Sequence, residues 1–177
     1  LLHTSLVALD ATTLSAATIY LKAHRPLGDA HLSDEFFFAQ AGLAISALAS
    51  APWAGQIPEH IFNEYVLPYC VLDEPRDDHV AVEIGYLRER CMPLIEGART
   101  PLDAALLLNE QIWDELGVRF EPNLSPKYLS PRDVRAHGTA SCSGLSILCI
   151  LACRSVGIPA RAAGVRDWSE GEGEGEG

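Results

Sequence analysis

The stretch from Cys142 to Val156 constrains this chain most. Read as a helix, it carries Leu145, Ile147, Leu148, Ile150, Leu151 and Ala152 on nearly every side. A helix that is apolar all round belongs in the middle of a domain. Gly157 and Pro159 follow it; glycine supplies a left-handed cap and proline cannot continue the helix. The rest of the 177 residues must therefore be able to wrap this segment. At 48% hydrophobic the chain has enough apolar content for one domain. Only 7% of residues are aromatic, so that core is chiefly aliphatic.

The wrapping elements read as mostly helical. Leu6, Leu9, Leu14, Ala17 and Leu21 recur at helical spacing over residues 4–23, and His24-Arg25-Pro26-Leu27-Gly28 breaks the run. Ser33-Asp34-Glu35 starts a second helix, reaching Ser50, with acidic residues at its positive end. A short helix from Glu59 is expected to stop at Pro68. Residues 77–92 put Val80, Ile84, Leu87 and Cys91 on one face, and Pro93 ends or kinks that helix. Thr100-Pro101-Leu102-Asp103 combines a hydroxyl cap, Pro at the first helical position and an acid at the third; Gly117 marks the stop. Ser130-Pro131-Arg132-Asp133 repeats this logic for a short helix ending near Gly138. Ala160 to Val165 reads as a short strand. Glu and Gly alternate from Glu170 to Gly177 without an apolar side chain, so a disordered tail is expected there.

Charge excludes one class of partner. The formal net charge is -11, and the chain stays acidic without the four tail glutamates, so a nucleic-acid groove is not expected. No membrane span is expected either, because the apolar runs 41–54 and 142–153 fall short of about 18 residues. No basic leader precedes Leu1, and a start without Met leaves the compartment open. Five cysteines, at 70, 91, 142, 149 and 153, are an odd number in a chain too long for a stapled scaffold. They read as reduced thiols.

Among them Cys142 stands out. It sits at a helix start, where unpaired N–H groups carry about half a positive charge. That environment favours a thiolate and can hold an oxyanion on an attacked carbonyl. Ala140, Ser141, Ser143 and Gly144 are small enough to let a substrate backbone approach. Residue type and position suit acyl transfer through a thioester. The competing reading is a buried structural cysteine. Cys149 and Cys153 fall on the same helix face, but Cys142 and Cys149 are about 10.5 Å apart along the axis, too far to share a zinc ion. Core packing is the reading for that pair, and no metal or cofactor is assigned. His137, His79 and His60 read as surface residues.

Ala140-Ser141-Cys142-Ser143-Gly144-Leu145-Ser146-Ile147-Leu148, followed by Ala152-Cys153-Arg154-Ser155-Val156-Gly157-Ile158-Pro159-Ala160-Arg161, resembles the core signature of transglutaminase-like proteins. Leu67-Pro68-Tyr69, Leu72-Asp73-Glu74, Arg76-Asp77, Leu108-Asn109 and Ser130-Pro131 resemble the flank of a bacterial-type branch. The resemblance implies an α+β, papain-like fold, with the part covered here mostly α-helical and the β-sheet half largely missing. It implies catalysis by a Cys-His-Asp triad with Cys142 as nucleophile. The His and Asp would come from strands after the Gly-Ile-Pro-Ala-Arg strand, where the Ser/Glu/Gly tail follows Trp168 instead. Truncation of the catalytic core is therefore expected, leaving this chain a poor enzyme. Arg154 and Arg161 match family positions and read as structural, Arg161 anchoring the strand through a buried carboxylate. An upstream aromatic often assists the oxyanion; Trp113 and Tyr128 are both candidates.

The expected organisation is an N-terminal helical segment at 1–58, the first half of a transglutaminase-like core at 59–168, and a tail at 169–177. The expected function is acyl transfer or amide hydrolysis on peptide or glutamine-type carboxamides. The alternative is an inactive domain of the same fold serving as a protein-binding module. A helical interaction protein with an accidental motif would instead keep Cys142 buried.

Overall fold

The computed structural model describes residues 11–164. It is mostly helical, with a small two-stranded sheet: α1 (Ala11–His24), α2 (Asp34–Ala49), α3 (Glu59–Tyr65), α4 (Val80–Leu94), α5 (Pro101–Leu116), β1 (Arg119–Phe120), α6 (Pro131–His137), β2 (Thr139–Ala140) and α7 (Cys142–Ser155). Residues 4–10 of the expected first helix, the end of the expected strand at Val165, and the Gly/Glu tail lie outside the described residues.

The helix starts follow local chemistry. Ser33 Oγ accepts from the Phe36 amide at 3.1 Å, Thr100 Oγ1 from Asp103 at 3.1 Å, and Ser130 Oγ from Asp133 at 3.1 Å. Each supplies one acceptor that the first turn lacks. Gly117 and Gly138 close α5 and α6 at φ 64° and 66°. The helix from Glu59 stops at Tyr65, three residues before Pro68, where the Val66 and Leu67 amides both turn back to the Phe62 carbonyl. Helix α4 runs through Pro93 to Leu94.

Helix α7 occupies the centre, packed by α4, α2, α5 and α6. Ile147, Leu148 and Leu151 are among the most deeply buried side chains. One hydrophobic cluster extends from Ala17 in α1 to Ile158 beyond α7, so the N-terminal helices share the core with the later ones.

The end of α7 is docked on α2. Gly157 adopts φ +79°, and a Cβ there would lie 2.7 Å from the Ala47 carbonyl oxygen. The indole of Trp53, fully buried, donates to the Gly157 carbonyl at 2.8 Å. Residues 160–164 form no strand. The Ala160 amide bonds to the Tyr65 carbonyl at 2.9 Å, and that single bond to a helix end makes no ladder. Strand structure appears instead at β1 and β2, which pair in parallel with Arg119 opposite Thr139 and Phe120 opposite Ala140.

Replacing Gly157 tests this docking. Gly157→Ala forces a left-handed conformation on alanine and pushes its methyl into the α2 backbone, at a combined cost of about 2–4 kcal/mol. The midpoint of thermal unfolding should fall by roughly 5–15 °C; an unchanged midpoint would contradict the close approach.

Candidate active site at the head of helix α7

Cys142 is the first residue of α7 and follows β2 after one residue. That residue, Ser141, is the N-cap. Its Oγ accepts from the Gly144 amide at 3.2 Å and donates to the Lys127 carbonyl. One buried hydroxyl thus satisfies the helix start and fastens the loop between β1 and α6 beside it. Space at Gly144 is tight: a Cβ there would lie 3.0 Å from the Ala140 Cβ. Strand and helix therefore meet closely, which leaves Cys142 on the outside of the corner.

The Cys142 thiol is exposed. Its Sγ lies 4.0 Å from Ser143 Oγ, the one hydrogen-bonding neighbour it has among the described residues. The exposure argues against an accidental motif buried in a helical scaffold. It also leaves the thiol accessible to a carbonyl, near the free N–H groups of the helix start.

No histidine bonds to Cys142 among the described residues. His137 is exposed in the last turn of α6. His24 bonds to the Tyr20 carbonyl, and His31 to those of Gly28 and Arg76. Trp113 and Tyr128 are half-buried and pack on the core. A cavity of about 440 Å³ lined by Trp53, Met92, Pro93 and Val156 lies at the opposite end of α7, about 21 Å along the axis from Cys142. It plays no part in this site.

The other thiols have different surroundings. Cys91 and Cys153 are buried, and Cys149 is half-buried. Burial, with Cys149 nearby, pushes Cys91 up to about 12. A hydrogen bond between Cys149 and Cys153 holds Cys149 toward the thiolate and Cys153 as the thiol. Among the described residues no group of three or more His, Cys, Asp or Glu could hold a metal ion. No helix there is long and apolar enough to cross a membrane.

Two arginines of the signature differ in role. Arg154 is 6% exposed; it donates to the Ala160 carbonyl at 3.0 Å, to Pro68 at 3.0 Å and to Cys70 at 2.7 Å. Arg161 is exposed, with its guanidinium carbon 5.7 Å from the Tyr65 ring centroid. It has no carboxylate partner among the described residues, so the buried-carboxylate expectation is corrected. The segment it occupies runs over the surface, where an aromatic face is the available partner.

Sequence reasoning missed the supports of the site. Glu83, 7% exposed, receives Arg135 on both oxygens at 2.9 and 3.1 Å, which clamps α6 to α4 just before β2. Its position on the Val80, Ile84 and Leu87 stripe was the available signal, because a carboxylate on a core-facing position needs a partner. The β1–β2 pair and the Ser141–Lys127 bond carry no local signal.

A thiol presented at a strand-to-helix corner, in a helical chain with a small sheet, defines the class as α+β with a cysteine at the head of its central helix. The family model of the Transglutaminase-like superfamily matches residues 88–176, half of the chain, and the chain belongs to that superfamily. No curated protein and no solved structure matches it.

The cap is testable alone. Ser141→Ala should cost about 1–2 kcal/mol of stability and speed hydrogen exchange at the Gly144 amide. Unchanged exchange there would show that the hydroxyl does not hold the helix start.

Proposed function

We propose that Cys142 is the nucleophile of a thiol acyl-transfer or amide-hydrolysing centre, built on a papain-like core spanning residues 59–168 with residues 1–58 as a helical segment against it. The observation that carries this reading is the exposed Cys142 thiol at the capped start of α7, inside the family match. The Cys142 sulfur adds to the carbonyl carbon of a peptide or glutamine-type carboxamide. The C–N bond then breaks, releasing amine or ammonia and leaving a thioester. An amine or water attacks the thioester, and the thiol is regenerated. A general base has to take the thiol proton and return it to the leaving nitrogen; the family resemblance assigns this to a His, oriented by an Asp, downstream of the Gly157–Arg161 run.

A second reading, a protein-binding module of the same fold without turnover, draws on the neighbour of Cys142 among the described residues being Ser143 and no histidine.

Two measurements on the full-length protein separate these. In native conditions iodoacetamide should modify Cys142 well before the buried Cys91 and Cys153. Incorporation of a fluorescent primary amine into a glutamine-containing peptide, or release of ammonia, should fall by at least about 10³-fold in Cys142→Ala. Undiminished turnover in that variant would overturn the nucleophile assignment. A reactive Cys142 with no turnover would favour the binding module.

A further inference from the structure

Two hollows, each of about 440 Å³, meet at the turn between α4 and α5. One is lined by Trp53, Met92, Pro93, Ile95 and Val156. The other runs along α5 against Asp103, Leu106, Leu107 and Glu110. Both include Glu96, Gly97 and Ala98, so they form one continuous groove. Gly97 adopts φ +86°, and a Cβ there would meet nothing within 4 Å, so the turn leaves the passage open. Val156 follows the last residue of α7, which puts the groove at the opposite end of that helix from Cys142.

The α5 wall follows from the sequence. That helix buries Ala104, Leu108, Ile112 and Leu116, four residues apart and therefore on one stripe. Asp103, Leu106, Leu107 and Glu110 recur at i, i+3, i+4 and i+7 and make a second stripe, with two leucines in the middle and an acid at each end. Leu106 is 57% exposed, and Met92 across the turn is 37% exposed. An uncovered apolar strip rimmed by charge has the form of a helix-docking groove.

The charge of the rim selects the occupant. Glu96, Asp103 and Glu110 are exposed, and none of them forms an ion pair among the described residues. Two cations of α4 are engaged elsewhere: Arg90 with Glu115, and Arg88 with the Ser155 carbonyl and the Ser50 hydroxyl. Between residues 96 and 110 Arg99 is the one basic side chain against three acids. Residues 1–10 contain no Lys or Arg, and residues 165–177 carry one Arg against five acids, so neither segment complements the rim. A second copy of net charge -11 brings like charge to it.

We propose that this groove docks a cationic amphipathic helix of a partner protein, with apolar side chains on Leu106 and Leu107 and in the hollow beside Met92, and Lys or Arg at the acidic rim. Asp103 and Glu110 are about 10.5 Å apart along the α5 axis. Two basic residues seven apart on the partner, with apolar residues third and fourth after the first, match that stripe in either chain direction. The docking surface is independent of whether Cys142 turns over.

The test measures fluorescence anisotropy of three labelled helical peptides with the full-length protein. One carries Lys seven apart with Leu at the third and fourth positions between, the second has Glu for Lys, and the third has Ser for Leu. The first should bind about tenfold or more tightly than either control at low salt, and the advantage over the Glu peptide should disappear in about 1 M salt. Leu106→Gln and the double variant Glu96→Lys, Glu110→Lys should each weaken the first peptide about tenfold. Glu64→Lys, on exposed α3 surface outside both hollows, should change it by less than about twofold. Comparison among the peptides uses the unaltered protein, so it stands whatever the stability of the variants. No saturable binding of the Lys peptide, or equal binding of the Lys and Glu peptides, would overturn the proposal. An equal loss in Glu64→Lys would reduce it to attraction by net charge. Protection of Cys142 from iodoacetamide would place the peptide at the thiol instead. A dimer in sedimentation that Leu106→Gln dissociates would make a second copy the occupant, which also overturns it.

Discussion

The Arg154 guanidinium lies almost wholly out of water, and it donates to carbonyls of Pro68, Cys70 and Ala160. Burial pulls its pKa down to about 10, which still leaves it charged at neutral pH. Among the described residues no carboxylate bonds to it directly; backbone carbonyls of the 68–70 stretch and of Ala160 receive the charge. Such an arrangement costs desolvation energy, and a hydrophobic replacement of matched shape could be equally stable. What it supplies is position. The irregular stretch around residues 68–70 and the chain leaving α7 are joined through one rigid planar group. That stretch in turn carries Tyr69, whose hydroxyl donates to the buried Asp29 carboxylate at 2.8 Å, while Arg76 donates to the same carboxylate at 2.8 and 3.0 Å. Glu74 accepts from the Val71 and Leu72 amides. A segment without regular secondary structure is thereby held by side chains doing the work of a ladder.

The two ends of α7 are consequently unlike. Its C-terminal half is buried on all sides and locked by Arg154, Gly157 and Trp53. Its first turn reaches the surface, with Cys142 and Ser146 exposed. One helix anchored at its far end thus gives Cys142 both a fixed position and an open approach. At the near end one hydroxyl, that of Ser141, both caps the helix and holds the Lys127 carbonyl, so the cap and the loop at Lys127 stand or fall together.

Local grammar was readable in the sequence wherever a structure is settled by neighbours a few residues apart. The caps at Ser33, Thr100 and Ser130, the glycine stops at 117 and 138, and the central burial of α7 all belong to that class. The place of Cys142 at a helix start was legible for the same reason: it is a property of ten consecutive residues. The strand expected from Ala160 failed because strand structure depends on a partner, and its first residues lie against a helix end. The two strands that do form are two residues each, too short for any period. Glu83–Arg135 and Asp29–Arg76 join residues about fifty positions apart, and composition gives no hint of which charge meets which.

Helix α4 explains how these long-range pairs serve the site. Its Glu83 holds Arg135, in the helix that leads into β2. One turn further on, Arg88 donates to the Ser155 carbonyl at 2.9 Å and to the Ser50 hydroxyl at 2.8 Å, fastening the end of α7 and the end of α2. The approach to Cys142 and the far end of its helix are thus both tied to one element. Relative motion between β2 and α7 would have to break one of these ties or bend α4. Tolerances for productive chemistry are fractions of an ångström, and neither a two-residue strand nor a capped first turn could hold them unaided. The ion pair on α4 is therefore best understood as part of what keeps Cys142 in place, although it touches neither the thiol nor its cap.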